Sequence, residues 1–91
     1  MIDINIYNMK PTIDSILGLN EVEDIKNHVN ELIPLYTKFL ATTNHDIRLT
    51  STNKVRLIGL LRVILNILYG ISMETNISIQ KIKLEKLRRL V

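Results

Sequence analysis

The sequence has 91 residues, enough for one domain and no more. Hydrophobic residues make up 46% and charged residues 23%, a balance that excludes an intrinsically disordered chain. The net charge of +3 tolerates an anionic partner without requiring one, and the lack of cysteine excludes disulfides and thiolate metal sites.

Residues 1–10 are predicted to form an extended arm. Ile2, Ile4 and Ile6 alternate with polar residues, which is the period of a half-buried strand. One strand is not stable alone. The arm is therefore expected to pair with the alternating stretch 47–50, to lie in a groove, or to cross to another subunit.

A short helix is predicted over residues 11–18. Pro11 suits its first turn, where the missing N–H costs nothing. Ile13 and Ile16 give it an apolar face, and Gly18 is expected to end it in a left-handed conformation.

The second helix is predicted over residues 21–42, with Asn20 and Glu23 as a capping box. Its apolar residues recur at spacings of three and four, and their phase is kept across Pro34. A true break would have no reason to preserve that phase. We therefore expect one helix that is kinked at Pro34.

The third helix is predicted over residues 51–73 and is apolar around more than half of its circumference. Its polar stripe consists of Gly59, Arg62, Asn66 and Gly70. Burial of such a helix requires more packing surface than a small chain supplies, which predicts a partner or dimer interface. The residues expected there are Leu57, Leu61, Ile64, Leu65, Leu68 and Ile71.

The last helix is predicted over residues 78–90, capped by Ser78 after a connection in which Asn76 is left-handed. Its inward residues are expected to be Ile79, Leu84, Leu87 and Leu90. Its basic residues are candidate contacts for an anionic partner, or a solvated face near the negative end of the helix dipole. They are Lys81, Lys83, Lys86, Arg88 and Arg89.

These elements predict an all-α fold. The expected architecture is a small irregular helical bundle of three long helices and a short N-terminal helix, in a single domain of residues 1–91 with the strand-like arm at its start. A membrane span at residues 55–73 is disfavoured because Arg62 and Asn66 lie at its middle.

Two clusters have residue types that are found in catalytic or metal sites. Asp24, His28 and Glu31 share one side of a helix at a spacing that suits a divalent metal. They are interpreted as part of a solvated face. His45-Asp46 resembles a base with its orienting carboxylate but has no nucleophile pattern nearby. We expect no catalytic, cofactor or metal site.

From Leu60 to Arg89 the chain resembles the C-terminal helical hairpin of the all-α nucleotide pyrophosphohydrolases. The turn Asn76-Ile77-Ser78-Ile79 and the basic helix after it carry the resemblance. It implies magnesium held by two acidic pairs. The second pair would fall near Leu60 and Val63, where aliphatic side chains cannot bind magnesium. The resemblance implies at most an inactive relative, and we do not assign the chain to that family.

The expected function is that of a non-enzymatic protein–protein interaction factor, as a homodimer or with a host protein. Regulators, inhibitors and immunity-type proteins are the classes considered. The alternatives are a nucleic-acid-binding regulator and a membrane-associated immunity-type protein, with membrane contact the less favoured. A composition rich in Ile, Asn and Lys, with one alanine, indicates AT-rich coding in a bacterial mobile element, phage or virus. Without a signal-peptide pattern, a cytoplasmic location is expected, and neither a cofactor nor a small-molecule substrate.

Overall fold

The computed structural model of the chain describes residues 9–91. Its elements are α1 (Met9–Leu17), α2 (Val22–Asn44), α3 (Ser51–Met73) and α4 (Ile77–Leu90). The part of the chain from residue 9 onward contains no strand, so the protein is a small all-α bundle, as predicted. The stretch 47–50 is part of the α2–α3 connection and does not form a strand.

Helix α1 begins earlier than predicted. Residues 1–8 lie outside the described part of the chain, and with them the Ile2, Ile4 and Ile6 pattern. Met9 and Lys10, which were assigned to the arm, belong to α1 instead. Met9 is buried beside Ile13 and Ile16, so the apolar side of α1 begins before Pro11.

Helices α2 and α3 form one long antiparallel hairpin. Each has 23 residues, and at 1.5 Å per residue each is about 35 Å long. The molecule measures 42 × 19 × 17 Å, so this hairpin sets its length. Helix α2 continues through Pro34 without interruption. Its buried residues on either side, Val29 and Tyr36, keep the same phase, and burial raises the pKa of the Tyr36 hydroxyl to about 12.

Helices α1 and α4 cover only one half of this hairpin. Helix α4 packs on α3 and α2, and α1 packs on α4 and α2. The fully buried core lies in that half, and partly buried residues such as Phe39 and Leu57 pack against it. Its buried apolar residues are Met9, Ile13, Ile16, Ile25, Val29, Tyr36, Leu61, Ile64, Leu65, Leu68, Ile71, Leu84 and Leu87. None of them lies between residues 37 and 60, a segment that we call the distal hairpin.

The end of α1 and the start of α2 differ from the prediction. Gly18 does not adopt a left-handed conformation. Its N–H instead donates to the carbonyl of Asp14 at 3.2 Å, which ends α1 with ordinary helical backbone. The capping box is also wrong, because Glu21 occupies the N-cap of α2 and its side chain makes no capping hydrogen bond.

The starts of α3 and α4 are both capped by side chains. Thr50 Oγ1 accepts a hydrogen bond from the N–H of Asn53 at 3.2 Å. Asn76 was expected in a left-handed conformation, but it has extended backbone with φ of −104°. Its Oδ1 accepts from the N–H of Ile79 at 3.2 Å. Asn76, and not Ser78, therefore caps α4.

The buried side of α4 was predicted only in part. Leu84 and Leu87 face the core as expected, but Ile79 and Leu90 are exposed. Gln80 is buried in their place. Its Nε2 lies 3.4 Å from each of three backbone carbonyl oxygens, at the start of α2 and the end of α3. Gln80 therefore sets the rotation of α4 about its axis.

Candidate functional site

The residues predicted to form a partner interface on α3 lie mostly inside the chain. Leu61, Ile64, Leu65, Leu68 and Ile71 are all buried in the core, and Leu57 is half-buried. Their apolar surface is covered by α2 and α4 of the same chain. These five side chains are therefore not part of the molecular surface.

The solvent-facing side of α3 follows the predicted polar stripe. Gly59, Arg62 and Asn66 are exposed, and Gly70 is half-buried beside Lys83. Four apolar residues are also exposed on α3, and they are Val55, Val63, Tyr69 and Met73. The sequence places these four residues in the same sector of the helical wheel as the polar stripe. Because polar residues lie between them there, the exposed apolar residues were not recognised from the sequence.

A groove runs between α2 and α3 on the distal hairpin. It has a volume of about 300 Å³ and is lined by Thr37, Leu40, Ala41, Asn44, Ile58 and Arg62. We call it the hairpin groove. Tyr69 follows Ile58 by eleven residues and Arg62 by seven, spacings that place all three on one side of α3. Tyr69 is 51% exposed. One side of the hairpin thus carries both a groove and a protruding aromatic residue.

The opposite side of the distal hairpin has a second groove, lined by Leu49, Asn53, Arg56, Leu57 and Leu60. Leu60 precedes Ile67 by seven residues, so both lie on the same side of α3. At Ile67 that side meets α4, where Lys83 and Lys86 line the boundary. Helix α4 therefore covers this side of α3 only in the core half of the hairpin.

Charge is divided unevenly along the chain. Residues 51–91 contain eight basic and two acidic residues, whereas residues 9–50 contain four basic and six acidic residues. One ion pair joins α4 to its connection with α3, and in it Lys83 Nζ lies 3.4 Å from Glu74 Oε1. A backbone hydrogen bond from Asn76, together with Lys83, lowers the pKa of the Glu74 carboxyl.

The predicted basic contacts of α4 have different environments. Arg88 Nε donates to Asp14 Oδ1 at 2.6 Å, which links α4 to α1 and raises the pKa of the Arg88 guanidinium. Lys83 is engaged by Glu74, and Lys81 is half-buried. Lys86 and Arg89 are exposed, and neither forms an ion pair with another residue of the described region.

The clusters considered for metal binding or catalysis have other contacts. His28 Nδ1 lies 2.9 Å from the backbone oxygen of Asp24. Across residues 9–91, no group of three His, Asp or Glu side chains is arranged to hold a metal. Asp46 accepts three hydrogen bonds from Arg48, which lower the pKa of its carboxyl to about 2.

Helix α3 has the length and composition of a membrane-spanning helix, a test that the core helix of a water-soluble protein also passes. Its exposed side carries Arg62 and Asn66 at mid-length.

No family model, curated protein or solved structure matches this chain.

Proposed function

We propose that the protein is a non-enzymatic protein–protein interaction factor that acts as a homodimer through its distal hairpin. The observation that carries this proposal is the lack of any buried apolar side chain between residues 37 and 60. Helices of this length draw most of their stability from packing of an apolar face. A second copy supplies the layer that α1 and α4 supply at the other end.

The shape of the hairpin supports an isologous contact. The hairpin groove and Tyr69 lie on the same side of α3, about two to three helical turns apart. A two-fold axis between them brings Tyr69 of each copy to the groove of the other. Tyrosine is among the residues that contribute most to interface affinity, because its ring is large and rigid and its hydroxyl remains able to hydrogen bond.

Charge supports an antiparallel arrangement of the two copies. The distal hairpin contains four basic residues and one acidic residue, for a net charge of +3. Residues 21–31, at the opposite end of α2, contain four acidic residues and one basic residue, for a net charge of −3. An antiparallel pair brings each basic end towards the acidic end of the other copy, which favours encounter and fixes the register.

The proposed role is that of a cytoplasmic regulator, inhibitor or immunity-type factor that also binds a host protein, without a cofactor or small-molecule substrate. A nucleic-acid-binding regulator is the alternative. Its support is weaker because Lys83 and Arg88, two of the five basic residues on which it depends, are held in ion pairs. Lys86, Arg89 and the half-buried Lys81 are left to meet phosphates.

The test is the mass of the protein by light scattering during size exclusion, over a range of micromolar concentrations. We expect a dimer for the wild type and at least about a tenfold higher dissociation constant for Tyr69→Ser. Ala41→Glu, which introduces a carboxylate into the groove, is expected to act in the same direction. Leu35→Ser is the matched control, since Leu35 is an exposed apolar residue on α2 outside the groove.

Two results would count against the proposal. One is a wild-type protein that stays monomeric across that range. The other is a dimer that Tyr69→Ser and Ala41→Glu leave unchanged, since the contact would then lie elsewhere. Both residues are exposed, so circular dichroism of the variants is expected to match that of the wild type.

A further inference from the structure

Helix α4 has apolar residues on two different sides. Leu84 and Leu87 face the core, where the polar residue Gln80 is also buried. Ile79, Ile82 and Leu90 are 40%, 63% and 41% exposed, respectively. Together with Lys86 they follow spacings of three, four and four, which align them along the outer side of the helix. Within residues 9–91, this second apolar side is left exposed.

The same side of α4 is basic. The helix contains five basic residues and one acidic residue. Lys86 lies within the apolar row, and Arg89 follows it by three residues on the same side. Both are exposed and free of ion pairs within residues 9–91. We call Ile79, Ile82, Lys86, Arg89 and Leu90 the outer face of α4.

This combination restricts the kind of partner. A second copy docked symmetrically through the outer face would bring two like-charged helices together, which is unfavourable. The backbone of a nucleic acid would satisfy Lys86 and Arg89 but would leave the apolar row exposed to water. An anionic lipid surface suits both sets of residues, since apolar side chains enter the boundary of the acyl chains while basic side chains meet the headgroups.

We propose that the outer face of α4 docks the protein onto an anionic membrane surface, with the helix lying parallel to that surface. Ile79, Ile82 and Leu90 enter the headgroup region, and Lys86 and Arg89 contact anionic headgroups. The contact does not depend on self-association, because Tyr69 and the hairpin groove lie on the α2–α3 hairpin. It is also distinct from a membrane span, since α3 stays within the bundle.

The test is co-sedimentation of the full chain with two kinds of vesicle. One contains phosphatidylcholine alone, and the other contains about one-third phosphatidylglycerol. We expect binding to the anionic vesicles only, weakened by raising the salt from about 0.05 M to about 0.3 M. Lys86→Gln with Arg89→Gln is expected to lower the partition coefficient by roughly 25-fold, at about fivefold for each basic residue.

Matched variants separate the outer face from general charge and hydrophobicity. Lys10→Gln with Lys38→Gln removes the same charge from exposed positions outside α4 and is expected to leave binding within about threefold of the wild type. Ile79→Ser with Ile82→Ser is expected to lower the partition coefficient by at least about tenfold. Leu35→Ser, which changes an exposed apolar residue outside α4, is expected to leave the partition coefficient unchanged.

Three results would overturn the proposal. The first is no binding to anionic vesicles at low salt. The second is equal binding to both kinds of vesicle, which would remove the role of charge. The third is unchanged vesicle binding in both outer-face variants. If vesicle binding is absent, binding of a labelled DNA duplex that the Lys86→Gln, Arg89→Gln variant loses would show that these basic residues contact nucleic acid. Tyr69→Ser, which is expected to weaken the dimer, is expected to bind vesicles. Failure of the proposed dimer can therefore be distinguished from failure of membrane binding.

Discussion

The side chain of Gln80 is the polar group on which the junction of three helices depends. Its amide nitrogen points at carbonyl oxygens of Val22, Ile71 and Glu74, and its Oε1 is buried without a partner. An amide donor suits three acceptors, whereas a carboxylate would face them with like partial charge. The hydrogen-bonding groups of residue 80 are therefore more strongly constrained than the size of its side chain.

Gln80→Glu tests this environment. We expect it to lower the free energy of unfolding by more than about 2 kcal/mol at pH 7, because a buried carboxylate would lack donors. Burial raises the pKa of such a carboxyl, so the loss is expected to shrink as the pH falls below about 4, where the glutamate becomes protonated in both the folded and the unfolded chain. Thermal unfolding at the two pH values checks this. The exposed substitution Asn27→Asp is the control, and an equal loss at both pH values would contradict the prediction.

Asp46 predicts the opposite pH dependence. Its hydrogen bonds from Arg48 lower the pKa of the carboxyl from 3.8 to about 2. A lowered pKa in the folded chain means that the contribution to stability is present above about pH 4 and is lost as the pH falls through about 2. The difference in unfolding free energy between the wild type and Asp46→Asn should therefore vanish at the acid end. Denaturation with urea along a pH series measures it, and a constant difference would argue against the Arg48 contact.

At the scale of the helices, the side-chain caps at the starts of α3 and α4 lead to a prediction about stability. The sequence alone predicted this capping only in part. Thr50→Ala and Asn76→Ala are each expected to cost about 1 kcal/mol, because each removes the acceptor of a capping hydrogen bond. Glu21→Ala removes an N-cap residue whose side chain makes no such bond and should cost less than about 0.5 kcal/mol. Urea unfolding of the three variants compares them. Equal costs would mean that these hydrogen bonds contribute little.

The helices could be predicted because their apolar periodicity is strong. Helix α3 spans the predicted residues 51–73, and α2 keeps its phase through Pro34. The rotation of α4 could not be predicted in the same way. Leu84 and Leu87 are compatible with two inward sets, one completed by Ile79 and Leu90 and the other by Gln80. Hydrophobicity favours the first set. The carbonyl groups at the ends of α2 and α3 favour the second, and only the tertiary structure brings them together.

At the scale of the molecule, most of the apolar residues of α3 that the sequence predicted at a partner interface are covered by the chain itself. Leu61, Leu65 and Leu68 pack inside the chain, because α4 folds back over a helix that α2 already covers. A sequence pattern records how much of a helix is apolar and does not record which neighbour covers it. The incomplete part of the fold is instead the distal hairpin, where apolar residues are half-buried or exposed and neither α1 nor α4 forms a third layer.

Hydrogen exchange tests whether this division of the molecule is real. Amides in residues 37–44 and 51–60 are expected to exchange at least about tenfold faster than those in residues 61–71, at concentrations where the protein is monomeric. The physical reason is that local opening of the distal hairpin exposes less buried apolar surface than opening of the core half. At concentrations that favour the proposed dimer, the distal amides of the wild type should slow while those of Tyr69→Ser stay fast. A distal hairpin that is as strongly protected as the core in the monomer would show that the hairpin is stable without a second copy, and the main physical reason for association would be lost.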